Sequence, residues 1–177
     1  IKVGNFSISR TLSTSTVGHL SRATQLQGIG AVREMDRVNV ATGGSSEVVP
    51  AQFVSGNHYS LLGMEAALGR NLSPSDDRAS DNAWPAMISY GYWQRRFGGK
   101  NDVLGQKITV NTIPFTIIGV MPRRFRGLMI DNSADISMPM AVVPQVEDGK
   151  VSGKKLKPDD YLGFLFARDD KPQQVES

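Results

Sequence analysis

The sequence has no cysteine, only two histidines, and no long apolar run. The missing thiols exclude a disulfide framework, a thiolate zinc or iron–sulfur site, and a cysteine nucleophile. His19 and His58 lie far apart, without the i, i+4 spacing or the nearby carboxylates of a zinc site, so each reads as an ordinary exposed or hydrogen-bonded imidazole. The best apolar stretch, Ile117-Ile118-Gly119-Val120-Met121, stops at Pro122, far short of the ~18 residues needed to span a bilayer. The start, Ile1-Lys2-Val3-Gly4, carries neither an initiator Met nor a signal-peptide core. The expectation is a soluble piece of a longer chain.

What is present is ordinary in amount. The 177 residues are 40% hydrophobic and 21% charged, with 20 Lys and Arg against 17 Asp and Glu for a net charge of +3. Collagen-like, highly charged disordered and coiled-coil classes are thereby excluded, and a packed core is feasible. Eighteen Gly and nine Pro make the chain turn-rich, which favours many short strands over long helices. One domain over residues 1–177 is expected, with a β-rich second lobe over about 57–125 left open.

Patterning fills in the elements. Ser13 to Thr16 offer N-caps for a helix bearing Val17, Leu20, Ala23 and Leu26, ended by Gly28 and Gly30. Residues 31–41 and 47–55 read as a hairpin around Thr42 to Ser46, with Pro50 placing the second strand near an edge. A short helical turn follows at Tyr59 to Leu62, then a polar loop over 71–82 and a brief strand at Met87-Ile88. Ser89 caps a helix whose Tyr90, Trp93 and Phe97 share a face, and Gly98-Gly99 ends it. Period-two alternation from Ile108 to Ile117 gives a second hairpin turning at Asn111-Thr112. A strand over 135–140, an exposed loop over 145–160 and a last strand over 161–167 complete an α+β fold, since helices and strands do not alternate strictly.

No chemical motif survives inspection. Gly99-Lys100 and Gly153-Lys154 lack the upstream Gly and the hydroxyl of a phosphate-binding loop. Gly28-Ile29-Gly30 has Arg33 in place of the third Gly of a dinucleotide fingerprint and precedes a strand. Ser152 and Lys155 match Ser-x-x-Lys only formally, in a loop with no helix to orient them. Asp76, Asp77 and Asp81 offer oxygens to a hard cation but do not follow the EF-hand order, which leaves a turn or helix cap. Arg123, Arg124 and Arg126 with Phe125, and Arg95-Arg96 beside Trp93, set cations among aromatics. Nucleic acid is not expected, because no recognition signature accompanies them; arginines snorkelling over a core or meeting anionic headgroups account for the same residues.

Several ordered blocks resemble one family. Val54-Ser55-Gly56-Asn57-His58-Tyr59 through Leu62-Gly63 to Gly69-Arg70 resembles the "VSGNYFxxLGxxPxxGR" block of MacB-like periplasmic core domains, the extracytoplasmic insertions of FtsX/MacB-type ABC-transporter permeases. Met87 to Gly99 is similar to "VLSYxxWQRRFGG", and Val103 to Pro122 to "xxGxxxxxNGxPFTVIGVxP", with Thr112 where Gly is usual. The Trp-Gln-Arg-Arg-Phe version resembles large permease-like paralogues of acidobacteria. The likeness runs over roughly residues 30–172 and is weak over the first 25.

The resemblance implies a non-catalytic periplasmic domain of an inner-membrane permease, with no cofactor and no catalytic or metal-binding residue. Its implied partners are transmembrane helices of the same parent chain, an ATP-binding subunit or domain acting through the membrane, and a periplasmic protein or a second copy. It implies a role in coupling helix motion to the periplasmic side, for efflux or mechanotransmission. A free-standing envelope module binding a peptide or lipid is the alternative.

Overall fold

A computed structural model describes residues 2–3, 6–10, 26–77, 83–125, 133–147 and 164–169. Its strands are β1 (Lys2–Val3), β2 (Phe6–Arg10), β3 (Leu26–Thr42), β4 (Ser45–Val54), β5 (Leu68–Gly69), β6 (Trp84–Ile88), β7 (Lys107–Val110), β8 (Ile113–Val120), β9 (Ile136–Pro139) and β10 (Phe164–Asp169). Among the described residues three short α-helices accompany them: α1 (His58–Leu61), α2 (Tyr90–Phe97) and α3 (Val143–Glu147).

Strand pairing closes on itself. β3 pairs with β4, β4 with β9, β9 with β6, β6 with β8, β8 with β7, and β7 returns to β3 through Val40↔Val110 and Ala41↔Thr109. The β4/β9 and β6/β8 pairs are parallel and the others antiparallel. Closure satisfies strand edges that an open sheet would leave bare. The early part of β3 runs out of this barrel and pairs with β10, which pairs with β2 and then β1. The first and last described strands therefore share a flanking sheet.

Period-two patterning makes the barrel interior. Val38 and Val40, Val49, Ala51 and Phe53, Ile108 and Val110, Phe115 and Ile117, and Ile136 and Met138 are buried on alternate positions of their strands. Tyr92 and Trp93 from α2, and Val142, Val143 and Val146 around α3, join the same core. The barrel is packed, each large side chain contributing roughly 2 kcal/mol of burial, and is not a pore. A smaller core of Val32, Val54, Tyr59, Leu72, Met87 and Met121 lies on the other face of the same strands.

Both hairpins and the Ser89-capped helix form as the pattern requires. The structure departs from it at several places. Gly28 and Gly30 end no helix: they lie within β3, opposite Arg168 and Phe166, because β10 supplies a partner that local patterning does not reveal. The expected helix over residues 13–25 lies outside the described residues. Pro50 is in an interior strand and not near an edge. β3 carries extra residues between Met35 and Val38, so Pro50 meets a bulge where no ladder N–H is needed, while its carbonyl accepts from Asp135 N at 2.8 Å. The expected loop at 145–160 begins as α3, whose valines the core claims; residues 148–160 lie outside the described residues.

Candidate functional site

Three polar clusters contain the chemistry-bearing residues. The first lies in the outer-face core. β4 and β9 place Gln52 and Ser137 directly opposite each other, and α1 sets Tyr59 above them. Gln52 Nε2 donates to Ser137 Oγ at 2.8 Å, Tyr59 OH donates to Ser137 Oγ at 2.8 Å, and Gln52 and Tyr59 approach to 3.5 Å. All three side chains are buried. Burial pushes the Tyr59 phenol up to about 12 against the pull of its two hydrogen bonds, so it stays protonated. Beside it, His58 is fully buried, its ring edge-on to Tyr59 at 4.9 Å and to Phe125 at 6.4 Å. Desolvation lowers its pKa to about 3, which keeps the imidazole neutral.

The second cluster folds the loop after β5. Arg70 grips Asp76 with both terminal guanidinium nitrogens at 2.7 and 2.9 Å, and Asp76 Oδ2 also accepts from Ser73 N and Ser73 Oγ at 2.8 Å each. Burial works to raise the Asp76 carboxyl, but these bonds and the arginine charge outweigh it and lower its pKa. Asp77 accepts from Gly56 N at 2.8 Å, and burial holds its pKa above the ordinary value. Gly56 has no alternative: a Cβ there would strike the Ser73 carbonyl and Pro74. Gly69 and Gly119 pair across β5 and β8 for the same reason, their Cα atoms facing the carbonyls of Ile118 and Arg70.

The third cluster fastens α2 over the barrel end. Ser89 Oγ accepts from Tyr92 N at 2.9 Å as an N-cap and donates to Asp135 Oδ1 at 2.7 Å, while Arg95 donates to Asp135 Oδ2 at 2.8 Å. Arg96 reaches Glu47 at 3.4 Å, the Thr42 carbonyl at 3.0 Å and Ser45 Oγ, so it clasps the β3–β4 turn. Trp93 Nε1 donates to the Lys100 carbonyl at 2.8 Å, and Gly98 takes the left-handed conformation that ends the helix.

The residues singled out by sequence thus fall in joints. The loop after β5 folds back on α1, so Asp77 bonds Gly56, two residues before His58. Asp76 is saturated by Arg70 and Ser73, and His58 is closed to solvent, so this grouping offers no accessible acid–base pair. Arg95 and Arg96 meet carboxylates and carbonyls instead of an outside anion. Arg123 and Arg124 are exposed, with Arg123 over the Tyr90 ring at 6.0 Å. His19, Asp81, Arg126, Ser152 and Lys155 lie outside the described residues. Among the described residues no group of three His, Cys, Asp or Glu could hold a metal, and no helix is long and apolar enough to cross a membrane. Sequence reasoning missed Gln52, Ser137, Glu47 and Asp135. Gln52 and Ser137 carry one signal, polar residues alternating with apolar ones, but that pattern reads as solvent-facing.

These clusters and the packed barrel define an α+β scaffold whose polar groups hold its own elements together. The sequence model of the MacB-like periplasmic core domain matches residues 4–176, and the chain belongs to that family of ABC-transporter permease domains. Solved structures agree on the fold. The periplasmic region of MacB from Actinobacillus actinomycetemcomitans superposes with a TM-score of 0.68 at 18% identity, covering 94% of this chain and 70% of that one. The extracellular domain of the noncanonic ABC-type transporter YknZ from Gram-positive bacteria gives 0.66 at 12% identity, covering 93% and 76%. A domain of a putative permease protein from Porphyromonas gingivalis gives 0.62 at 14%, covering 95% and 74%. Among curated proteins, the pyoverdine export ATP-binding/permease protein PvdT of Pseudomonas syringae pv. tomato is 26% identical over 108 residues, 56% of this chain. The match spans only 16% of that relative's length.

Proposed function

We propose that this chain is a single extracytoplasmic domain of a MacB/FtsX-type permease and couples motion of transmembrane helices in the same parent chain to the periplasmic side. A separate ATP-binding subunit or domain hydrolyses the nucleotide, and no residue of this domain makes or breaks a bond. The observation that carries the reading is the pairing of β2 with β10. Arg168 lies opposite Phe6 on one side and Gly28 on the other, so the start of β2 and the end of β10 reach the same end of one sheet. A domain inserted between two membrane anchors needs its two ends side by side, and a barrel plugged by α2 and α3 has the stiffness to pass on displacement of those ends.

The test is the full-length gene product. It should carry a stretch of ~20 apolar residues before residue 1 and another after residue 177. Cysteines placed at exposed Arg37 and Lys107 in that product should react with a membrane-impermeant thiol reagent in intact spheroplasts. A product without flanking spans, or labelling that requires lysis, would remove the membrane reading.

A further inference from the structure

The turn after β8 carries charge that no described carboxylate neutralises. Phe125 N donates to the Pro122 carbonyl at 2.9 Å, which makes Arg123 and Arg124 the two central residues of a tight turn. Both flanks are anchored: Met121 is buried in the outer-face core, and Phe125 packs on the same core with its ring 5.7 Å from Tyr59. The two guanidiniums are exposed, and neither forms an ion pair with any described residue, whereas Arg70, Arg95 and Arg96 each meet a carboxylate. Tyr90 beneath Arg123 restricts one of them before any partner arrives.

Strand register locates the turn. Val120, just before it, is level with Ile88, Ile136, Ala51 and Met35 in successive strands. The start of β2 and the end of β10 lie level with Gly28, which faces Arg168, itself opposite Phe6. From Gly28 to Met35 is about 23 Å of strand.

We propose that the Arg123–Arg124 turn is a docking point for an acidic segment of an extracytoplasmic protein. The choice of a protein over lipid rests on the permease reading. Anchors beside the first and last strands leave the turn beyond the ~8 Å over which headgroup charge acts at physiological ionic strength. Guanidinium forks bind carboxylates in two-point fashion, and a turn held from beneath loses little freedom on binding.

The test uses the 177-residue chain and a fluorescein-labelled oligo-glutamate peptide, read by anisotropy at low and physiological salt. The double variant Arg123→Glu/Arg124→Glu should weaken binding at least about tenfold. The control Arg37→Glu/Lys107→Glu makes the same charge change at other exposed positions and should cost less than about twofold. The neutral pair Arg123→Gln/Arg124→Gln should fall between, with an unchanged circular dichroism spectrum. Equal losses in the two charge-reversed chains would overturn the docking point, because net charge alone would then account for binding. Stronger arginine-dependent binding to anionic phosphatidylglycerol vesicles than to the peptide would also overturn it, in favour of lipid. Arginine-dependent peptide binding by a protein that proves to have no flanking spans would sink the permease reading and leave the docking point standing.

Discussion

The two faces of the same strands are held by different physics. Inside the barrel, β4, β6 and β9 contribute Phe53, Ala86, Ile88, Ile136 and Met138, all buried and all apolar. On the outer face the neighbouring positions Val54 and Met87 share their core with Gln52, Ser137, Tyr59 and His58. Apolar contacts reward area and tolerate small shifts, whereas a buried hydrogen bond tolerates almost none. The interior supplies bulk stability, and the outer face fixes the parallel register of β4 against β9 and seats α1 upon it.

The largest effect should come from the interior. Phe115→Ala removes a fully buried ring from a barrel with no free edge along which to collapse, and should cost about 3–5 kcal/mol in urea unfolding. A loss near 1 kcal/mol would mean that the interior can relax, and the contrast between the faces would shrink.

Acid should act mainly on the outer face, through His58. His58 titrates near 6.5 when unfolded and near 3 when folded. Below pH 6.5 the unfolded chain takes up a proton that the folded chain refuses, so stability is full above that pH and falls as pH drops toward 3. The slope approaches about 1.4 kcal/mol per pH unit. Urea unfolding at pH 7 and pH 4.5 measures it, and His58→Gln should flatten the difference between those two pH values. An equally steep loss in the variant would assign the acid sensitivity to carboxylates such as Asp76, whose lowered pKa also withdraws stability as pH falls.

Next comes the register pair. Ser137→Ala leaves Gln52 and Tyr59 with only their 3.5 Å contact and should cost about 1–3 kcal/mol. Replacing the set together, with Gln52→Leu, Ser137→Ala and Tyr59→Phe, should recover part of that loss. If the triple variant instead loses the sum of the three single losses, the network contributes as separate bonds and not as a unit.

This contrast also explains how much could be read in advance. Alternation at Ile108 to Ile117 marks an interior strand pair because one face is apolar, and the Ser89 cap with Gly98 frames α2 because both are local signals. The resemblance added the family. Neither showed that β7 returns to β3 and closes the barrel, since two paired residues far apart in sequence leave no local trace. Gln52 and Ser137 look like solvent-facing positions until α1 is known to cover them. Asp135 as the partner of both Ser89 and Arg95 depends on a contact between β9 and α2 that no spacing encodes. The glycines are the intermediate case: Gly56, Gly69 and Gly119 stand out in the family-like blocks, but only the packing shows which carbonyls they admit.

The smallest effect sits at the barrel seam. The β7–β8 turn has Asn111 at φ 46° and Thr112 at φ 81°, a conformation suited to Asn-Gly, and Asn111 exchanges bonds of 2.9 Å with the backbone of Asn39 to complete the closure. Holding a β-branched residue at positive φ costs roughly 1–2 kcal/mol, and the extra freedom of an unfolded glycine takes back up to about 1 kcal/mol. Thr112→Gly should therefore raise stability by about 0.5–1 kcal/mol, seen as a higher urea midpoint with an unchanged slope. Amide exchange at Asn39 and Asn111 should slow, while exchange at α1, which rests on the outer core, should change only as far as global unfolding requires. If stability falls instead, Thr112 contributes a contact worth more than its strain, and the closing turn would then belong with the polar outer face and not with the apolar interior.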